Sequence, residues 1–427
     1  MAVDKPNSER VEHAGTAEHA GTVERAEAAA PAGDAHGGPP DWSFLTGKRV
    51  LDLSRLLPGP YATSMLADVG ADVIKIEEPD GGDPARSAPA LFEALNRNKR
   101  SVTLDLRDDT HRAEFLRLVD TADAVVESFR PGVLDRLGLS YPVLREANPR
   151  IVLCSLSGYG QTGPYANRPG HELNFLALSG FFTVPGRIDG EITRPGVRVG
   201  DMAGAMQAAF ALTVALAGAA ATGQGQHIDV SLTESIAGWC ALFALPLADA
   251  GDPPKSGLVQ GDNDVFRTAD GRLLSLATFE DKFWRELRTA LGTEFPGLNT
   301  DAYDRRAART AAKEKIHDLL TEVFAAHDYA WWECTLTGIG APWAPVFTTP
   351  QQLIDDPHLT ARNLFSQASG PAPQARFPVR FGSGLNTFRT PAPELGAHTR
   401  EVLEAMPTAS ITAASGPRPP ARRRSRT

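Results

Sequence analysis

The sequence predicts an α/β protein with a Rossmann-like large domain on a parallel sheet and a smaller α/β domain. Three observations predict it. Short apolar runs alternate with helical periodicity from residue 49 to residue 155. The first repeat, Arg49 to Glu77, fits strand, turn, helix and strand into one short segment, a βαβ unit. After an Ala-rich apolar stretch, Ala203 to Ala221, the pattern changes. A right-handed crossover makes the joined strands parallel, and sustained alternation gives a doubly wound sheet.

The elements follow in order. Arg49 to Ser54 reads as a short buried strand, Leu57 to Ala62 as a turn, and the residues through Met65 and Leu66 to Gly70 as a helix. Ala71 to Glu77 is the second strand and Ser101 to Leu106 the next. Arg112 to Val119 is helical; Ala124 to Glu127 and Ile151 to Ser155 are strands. Ala203 to Ala221 is long enough to span a bilayer, but it is mainly Ala and Gly and has no basic flank, so a buried helix is expected. His227 to Leu232 alternates as a strand, Gly251 to Gly261 reads as loop, Gly271 to Ala277 as strand and Arg305 to Ala326 as helix.

These elements suggest an organisation of five parts. Residues 1–42, rich in Ala, Glu, Gly, Pro and His, are expected to be a disordered leader. Residues 43–224 would form the large domain and 225–335 the small domain. Residues 336–400 would return to complete the large domain, and 401–427 would be a disordered basic tail.

Composition narrows the function. The chain has 427 residues, 42% hydrophobic and 22% charged, with a formal net charge of −9. That charge argues against a general nucleic-acid binder. The three cysteines, Cys154, Cys240 and Cys334, are too dispersed for a disulfide framework or a zinc site. A cytoplasmic protein with no metal, membrane or nucleic-acid partner is therefore expected.

Several stretches carry a more specific signal. They are Gly47-Lys-Arg-Val-Leu-Asp-Leu-Ser54, Pro58-Gly-Pro-Tyr-Ala62, Ala67-Asp-Val-Gly-Ala-Asp-Val-Ile-Lys-Ile-Glu77 and Leu95-Asn-Arg-Asn-Lys-Arg-Ser101. Glu127-Ser-Phe-Arg-Pro-Gly132, Ser157-Gly-Tyr-Gly-Gln-Thr-Gly-Pro164, the stretch Gly170 to Gly180 and Gly223 to Ser231 continue the series. In this order they resemble the CaiB/BaiF-type family III CoA-transferases, whose relatives include α-methylacyl-CoA racemase. The resemblance implies an interlocked homodimer, with coenzyme A (CoA) on the large domain as part of the substrate and no further cofactor.

The resemblance also implies site residues. Arg97, Asn98, Lys99 and Arg100 would supply cations and polar groups to the CoA phosphates, with Arg136 as a further contact. Phe129 and Arg130 would border the adenine. Many relatives carry Arg where this chain has Glu78, so either Arg86 or Arg55 would substitute or the pocket would bind CoA less tightly. A second departure is Arg267, where racemase-like relatives are acidic.

His171, Glu172 and Asp201 are the expected catalytic residues. In racemase-like members, groups at the His171 and Asp201 positions face opposite sides of the thioester α-carbon and exchange its proton. Asp201, just ahead of an apolar helix, also reads as an N-cap. In transferase-like members the carboxylate at the Glu172 position, usually Asp, attacks the acyl-CoA and forms a mixed anhydride. The expected activity is epimerisation of a 2-methylacyl-CoA. The alternatives are CoA transfer from an acyl-CoA to a carboxylic acid acceptor through Glu172, and a non-catalytic CoA-binding scaffold.

Overall fold

The computed structural model describes residues 43–248, 259–366, 373–382 and 388–406. The expected leader at 1–42 and most of the Gly251 to Gly261 loop lie outside them. The large sheet has six parallel strands in the order β3-β2-β1-β4-β5-β6. These are β1 (Arg49–Asp52), β2 (Asp72–Glu77), β3 (Lys99–Thr103), β4 (Ala124–Glu127), β5 (Val152–Ser157) and β6 (His227–Ser231). The helices between them are α1 (Pro58–Asp68), α2 (Pro89–Asn96), α3 (Asp109–Asp120), α4 (Val133–Arg136), α5 (Tyr141–Ala147), α6 (Glu172–Leu178) and α7 (Val199–Thr222).

Register explains why these strands read as continuous apolar runs. Leu51 lies opposite Ile74 and Val125, and all three join the core on one face of the sheet. Their neighbours Val50, Val73 and Ala124 also lie opposite one another, and they join the core on the other face. Since successive side chains alternate sides, a strand covered on both faces has no polar side to show. Local signals set the helix ends. Pro58 opens α1, the Asp108 carboxylate accepts the Thr110 and His111 N–H groups at the start of α3, and Gly223 closes α7 at φ +73°.

The chain moves outward from β1 to β2 and β3, then returns to lay β4 on the opposite side of β1. This reversal opens a crevice beyond the carboxyl ends of β1 and β4, where doubly wound sheets bind ligands.

Three expectations about organisation need correction. His227–Ser231 pairs parallel with β5 and completes the large sheet, so the small domain does not begin near residue 225. It follows α8 (Leu232–Ala248) and is built on an antiparallel sheet of β7 (Asn263–Arg267), β8 (Leu273–Ala277) and β9 (Trp343–Pro345). Helices α9 (Asp281–Leu291), α10 (Arg306–Ala311), α11 (Lys313–Phe324) and α12 (Tyr329–Gly338) belong to it, and Trp284, Phe324 and Trp332 fill its core.

The tail begins later than expected. Thr399–Glu404 is helical, and Val402 and Met406 are buried in the large-domain core. Just before this helix, the His398 N–H donates to the Ser101 carbonyl and the Gly396 N–H to the Ser101 hydroxyl. Finally, α7 is buried along one face only. Ala205, Ala208 and Leu212 face the core, while Met206, Phe210 and Val214 are exposed.

Candidate active site

Two loops meet at the crevice. After β1, the Lys75 ammonium donates to the Ser54 carbonyl at 2.9 Å and pairs with Asp83 at 2.8 Å. The Asp83 carboxylate also accepts the Leu56 N–H at 3.0 Å, which holds Leu56 at a φ of +66°. Leucine rarely adopts that left-handed conformation, so the buried acid holds a strained turn in place. After β4, the Phe129 N–H donates to the Glu127 carboxylate at 2.6 Å, and the Ser128 hydroxyl accepts the Arg55 N–H at 3.0 Å. Burial raises the Glu127 carboxyl to about 7 against hydrogen bonds from Ser155 and Phe129. The Arg55 guanidinium lies 5.4 Å from the Phe129 ring and pairs with Glu78 at 3.0 Å.

A cavity of about 670 Å³ opens between these loops. Arg55, Phe129 and Arg130 line it on one side, and His171, Glu172 and Asp201 on the other. A smaller cavity of about 240 Å³ shares Arg55 and Phe129 and adds Leu104, Leu106 and Arg107. The two together give room for an elongated ligand at the crevice.

The segment after β5 places α6. The Gly158 carbonyl accepts both the N–H and the hydroxyl of Thr233. A side chain at Gly158 would collide with the Phe175 ring, and one at Gly170 would come within 2.7 Å of the Tyr159 hydroxyl. These glycines therefore let α6 pack closely against the segment that follows β5.

Glu172 is the first residue of α6 and is only 3% exposed. One carboxylate oxygen accepts the Gly200 N–H at 3.4 Å. The other is buried without a hydrogen bond, and the Arg198 guanidinium is 3.8 Å from it. A buried acceptor that goes unused is costly, so such groups call for an explanation. Here Glu172 is one of the residues that line the cavity.

Asp201 sits three residues into α7, and Arg198 occupies the N-cap, so Asp201 is not the cap that the sequence suggested. Burial, with the Glu172 charge adding to it, pushes the Asp201 carboxyl up to about 6, while Arg198 and His171 oppose the shift. His171 is exposed at the N-cap of α6, and its N–H donates to the Asn174 side chain at 3.0 Å. All three expected catalytic residues therefore line one cavity.

Asp201 has a consequence for stability. Its carboxyl titrates higher in the folded chain than in the unfolded one, so its ionised form opposes folding. The cost is absent below the ordinary carboxylate range, near pH 3.8, and complete once the pH has passed about 6. Asp201→Asn should therefore melt above the wild-type protein at pH 8, with the gap closing towards pH 4. Equal melting temperatures at pH 8 would contradict the assignment.

The expected phosphate cluster is corrected by its surroundings. The Lys99 ammonium is buried among Asp52 at 3.0 Å, the Pro60 carbonyl at 2.9 Å, Thr63 at 2.8 Å and Asn96 at 3.0 Å. The Arg97 and Asn98 side chains bind Asp68 at 2.6 and 2.8 Å. Arg100 binds Asp72 at 2.6 Å and Glu401 at 3.1 Å. Arg97, Asn98 and Arg100 lie at the amino end of β3, away from the crevice, and none of the four residues lines the cavity. Arg136 is exposed on α4, also outside the cavity lining.

Of the two substitutes for an arginine at position 78, Arg86 is committed. It binds Glu77 through two nitrogens, reaches the Pro393 carbonyl, and stacks 4.1 Å from the Phe92 ring centre. Arg55 borders both cavities instead. Arg168 and Tyr159, which the sequence did not single out, also line the larger one.

Comparison with known proteins adds the following. Residues 45–399 match the family model described as CoA-transferase family III. The chain is 33% identical over 395 residues to the succinate–glutarate CoA-transferase of Agrobacterium fabrum, covering 86% of this chain and 97% of that protein. It is 33% identical over 384 residues to the succinyl-CoA:mesaconate CoA-transferase of Haloarcula hispanica, covering 83% and 94%. A crystal structure of a CAIB/BAIF family protein from Brucella suis superposes with a TM-score of 0.76 at 31% identity, covering 86% of this chain and all of that one.

Proposed function

This chain belongs to CoA-transferase family III, and we propose that it moves CoA from an acyl-CoA thioester to a carboxylic acid through Glu172. The observation that carries this reading is that Glu172 lines the cavity and keeps one buried carboxylate oxygen that accepts no hydrogen bond. The similar proteins are named CoA-transferases of dicarboxylates, which favours transfer over the epimerisation first expected and makes a short dicarboxylate the acceptor to try first.

The chemistry needs no external base. The Glu172 carboxylate attacks the thioester carbonyl, the C–S bond breaks, and CoA leaves as thiolate from a mixed anhydride. The thiolate then attacks the glutamyl carbonyl, which releases the donor acid and leaves a Glu172–CoA thioester. The acceptor carboxylate displaces CoA to form a second anhydride. Attack of the thiolate on its acyl carbon yields the new acyl-CoA and restores Glu172. The Gly200 N–H, already directed at Glu172, can hold negative charge developing on its oxygen. CoA enters as part of the substrate, lying along the crevice with Arg55, Phe129 and Arg130 beside it.

The test is incubation with succinyl-CoA in deuterated water, with and without glutarate. Formation of glutaryl-CoA that depends on glutarate, without deuterium at the α-carbon, is expected. Deuterium incorporation from a 2-methylacyl-CoA without any acceptor would restore the epimerase reading.

The same reading makes the working unit a homodimer. Phe210 on α7 is 69% exposed and Leu242 on α8 72%, and Met206, Val214, Trp239 and Phe243 are also exposed on these two packed helices. An apolar face of this kind calls for a partner. Light scattering should give twice the chain mass, and Phe210→Glu with Leu242→Glu should abolish it. A monodisperse wild-type monomer at micromolar concentration would refute the dimer.

A further inference from the structure

Arg198 has no part in the steps above, yet it stands directly against the nucleophile. It is the N-cap residue of α7, its side chain is 52% exposed, and its guanidinium lies 3.8 Å from the Glu172 oxygen that accepts no hydrogen bond. Among the described residues Arg198 makes no other ion pair. Asp201, on the first turn of the same helix, feels the Arg198 charge without reaching ion-pair distance.

The covalent steps change what Arg198 faces. In the resting enzyme the half-exposed guanidinium faces the Glu172 carboxylate. In the anhydride and in the thioester Glu172 carries no charge, so Arg198 loses its partner. At the thioester stage a free carboxylate is present, first the departing donor acid and then the arriving acceptor. We propose that Arg198 binds this reacting carboxylate, pairing with Glu172 at rest and with the free acid while Glu172 is held as the CoA thioester. The inference rests on the reading of Glu172 as nucleophile. No bond to Arg198 forms or breaks; one ion pair replaces another. A guanidinium suits the exchange because it stays charged throughout and can grip a carboxylate with two parallel hydrogen bonds.

Glu172→Gln imitates the uncharged Glu172 of the thioester stage, because the amide keeps the shape and removes the charge. Calorimetric titration with succinate should show Glu172→Gln binding about tenfold tighter than wild type, the value of one charge-assisted contact. The double variant Glu172→Gln/Arg198→Gln should lose that gain. In Arg198→Gln alone, the KM for glutarate should rise by about tenfold or more while that for succinyl-CoA stays within about threefold. Borohydride trapping of a Glu172–CoA adduct from succinyl-CoA alone should still succeed in this variant, which shows that the nucleophile works.

An adduct in both proteins with an unchanged KM for glutarate would overturn the role of Arg198. So would equal succinate affinity in the single and double Glu172 variants. Failure to trap any adduct in wild type would instead overturn the assignment of Glu172.

Discussion

Glu172→Gln should lower CoA transfer by about a thousandfold or more, because the amide is a far poorer nucleophile than the carboxylate it replaces. The fold should survive. The side chain keeps its volume, and the new carbonyl oxygen can still accept the Gly200 N–H that now reaches the carboxylate at 3.4 Å. Circular dichroism and melting temperature should match wild type closely, which separates loss of chemistry from loss of structure. Mass spectrometry after incubation with acyl-CoA and borohydride should find the adduct in wild type and not in the variant. Glu172→Asp is a finer probe. It keeps the nucleophile but withdraws it by one methylene, and misplacement on that scale costs about a hundredfold in rate. A Glu172→Gln protein that still transferred CoA at a tenth of the wild-type rate would eliminate the anhydride pathway.

The same residues show where sequence was informative and where it was silent. β1, β2 and β4 were legible because each is covered on both faces, which leaves short apolar runs such as Ala124 to Val126. β6 was harder to assign. His227 and Asp229 are exposed at the edge of the sheet, so its alternating pattern resembles that of an antiparallel strand, and only the pairing with β5 places it in the large sheet. His171, Glu172 and Asp201 were legible as a group through the resemblance, and the fold puts all three on one cavity.

Charge was what a linear reading could not resolve. A run such as Arg97 to Arg100 looks free when the acids that neutralise it are remote. Asp68 and Asp72 lie on either side of the turn joining α1 to β2, and Glu401 approaches from the C-terminal helix. Arg198 was missed for the complementary reason. Its partner Glu172 lies 26 residues earlier in the chain, and nothing local in the sequence joins them.

Lys99 offers the sharpest test of this correction. As a phosphate contact it would be dispensable for folding, and its removal would weaken CoA binding in a salt-sensitive way. In the fold its ammonium is fully buried against Asp52, itself fully buried at the end of β1. Burial alone would raise the Asp52 carboxyl, but the Lys99 and Lys75 charges and the Ser54 and Thr63 hydroxyls outweigh it and hold it down at about 2. That depressed value stabilises the fold above the ordinary carboxylate range, and the contribution is lost as the pH falls from about 3.8 towards 2. Lys99→Met would remove the nearer cation and leave Asp52 buried with its charge poorly matched. Breaking a buried pair from one side costs about 3–5 kcal/mol. The denaturation midpoint at pH 7 should therefore fall steeply, whereas Lys99→Met combined with Asp52→Asn should recover a large part of the loss. Protein that remains folded should bind CoA with unchanged affinity and unchanged salt dependence. If Lys99→Met unfolds at the wild-type midpoint and instead loses CoA affinity as salt rises, Lys99 is a ligand residue after all and the buried pair is dispensable.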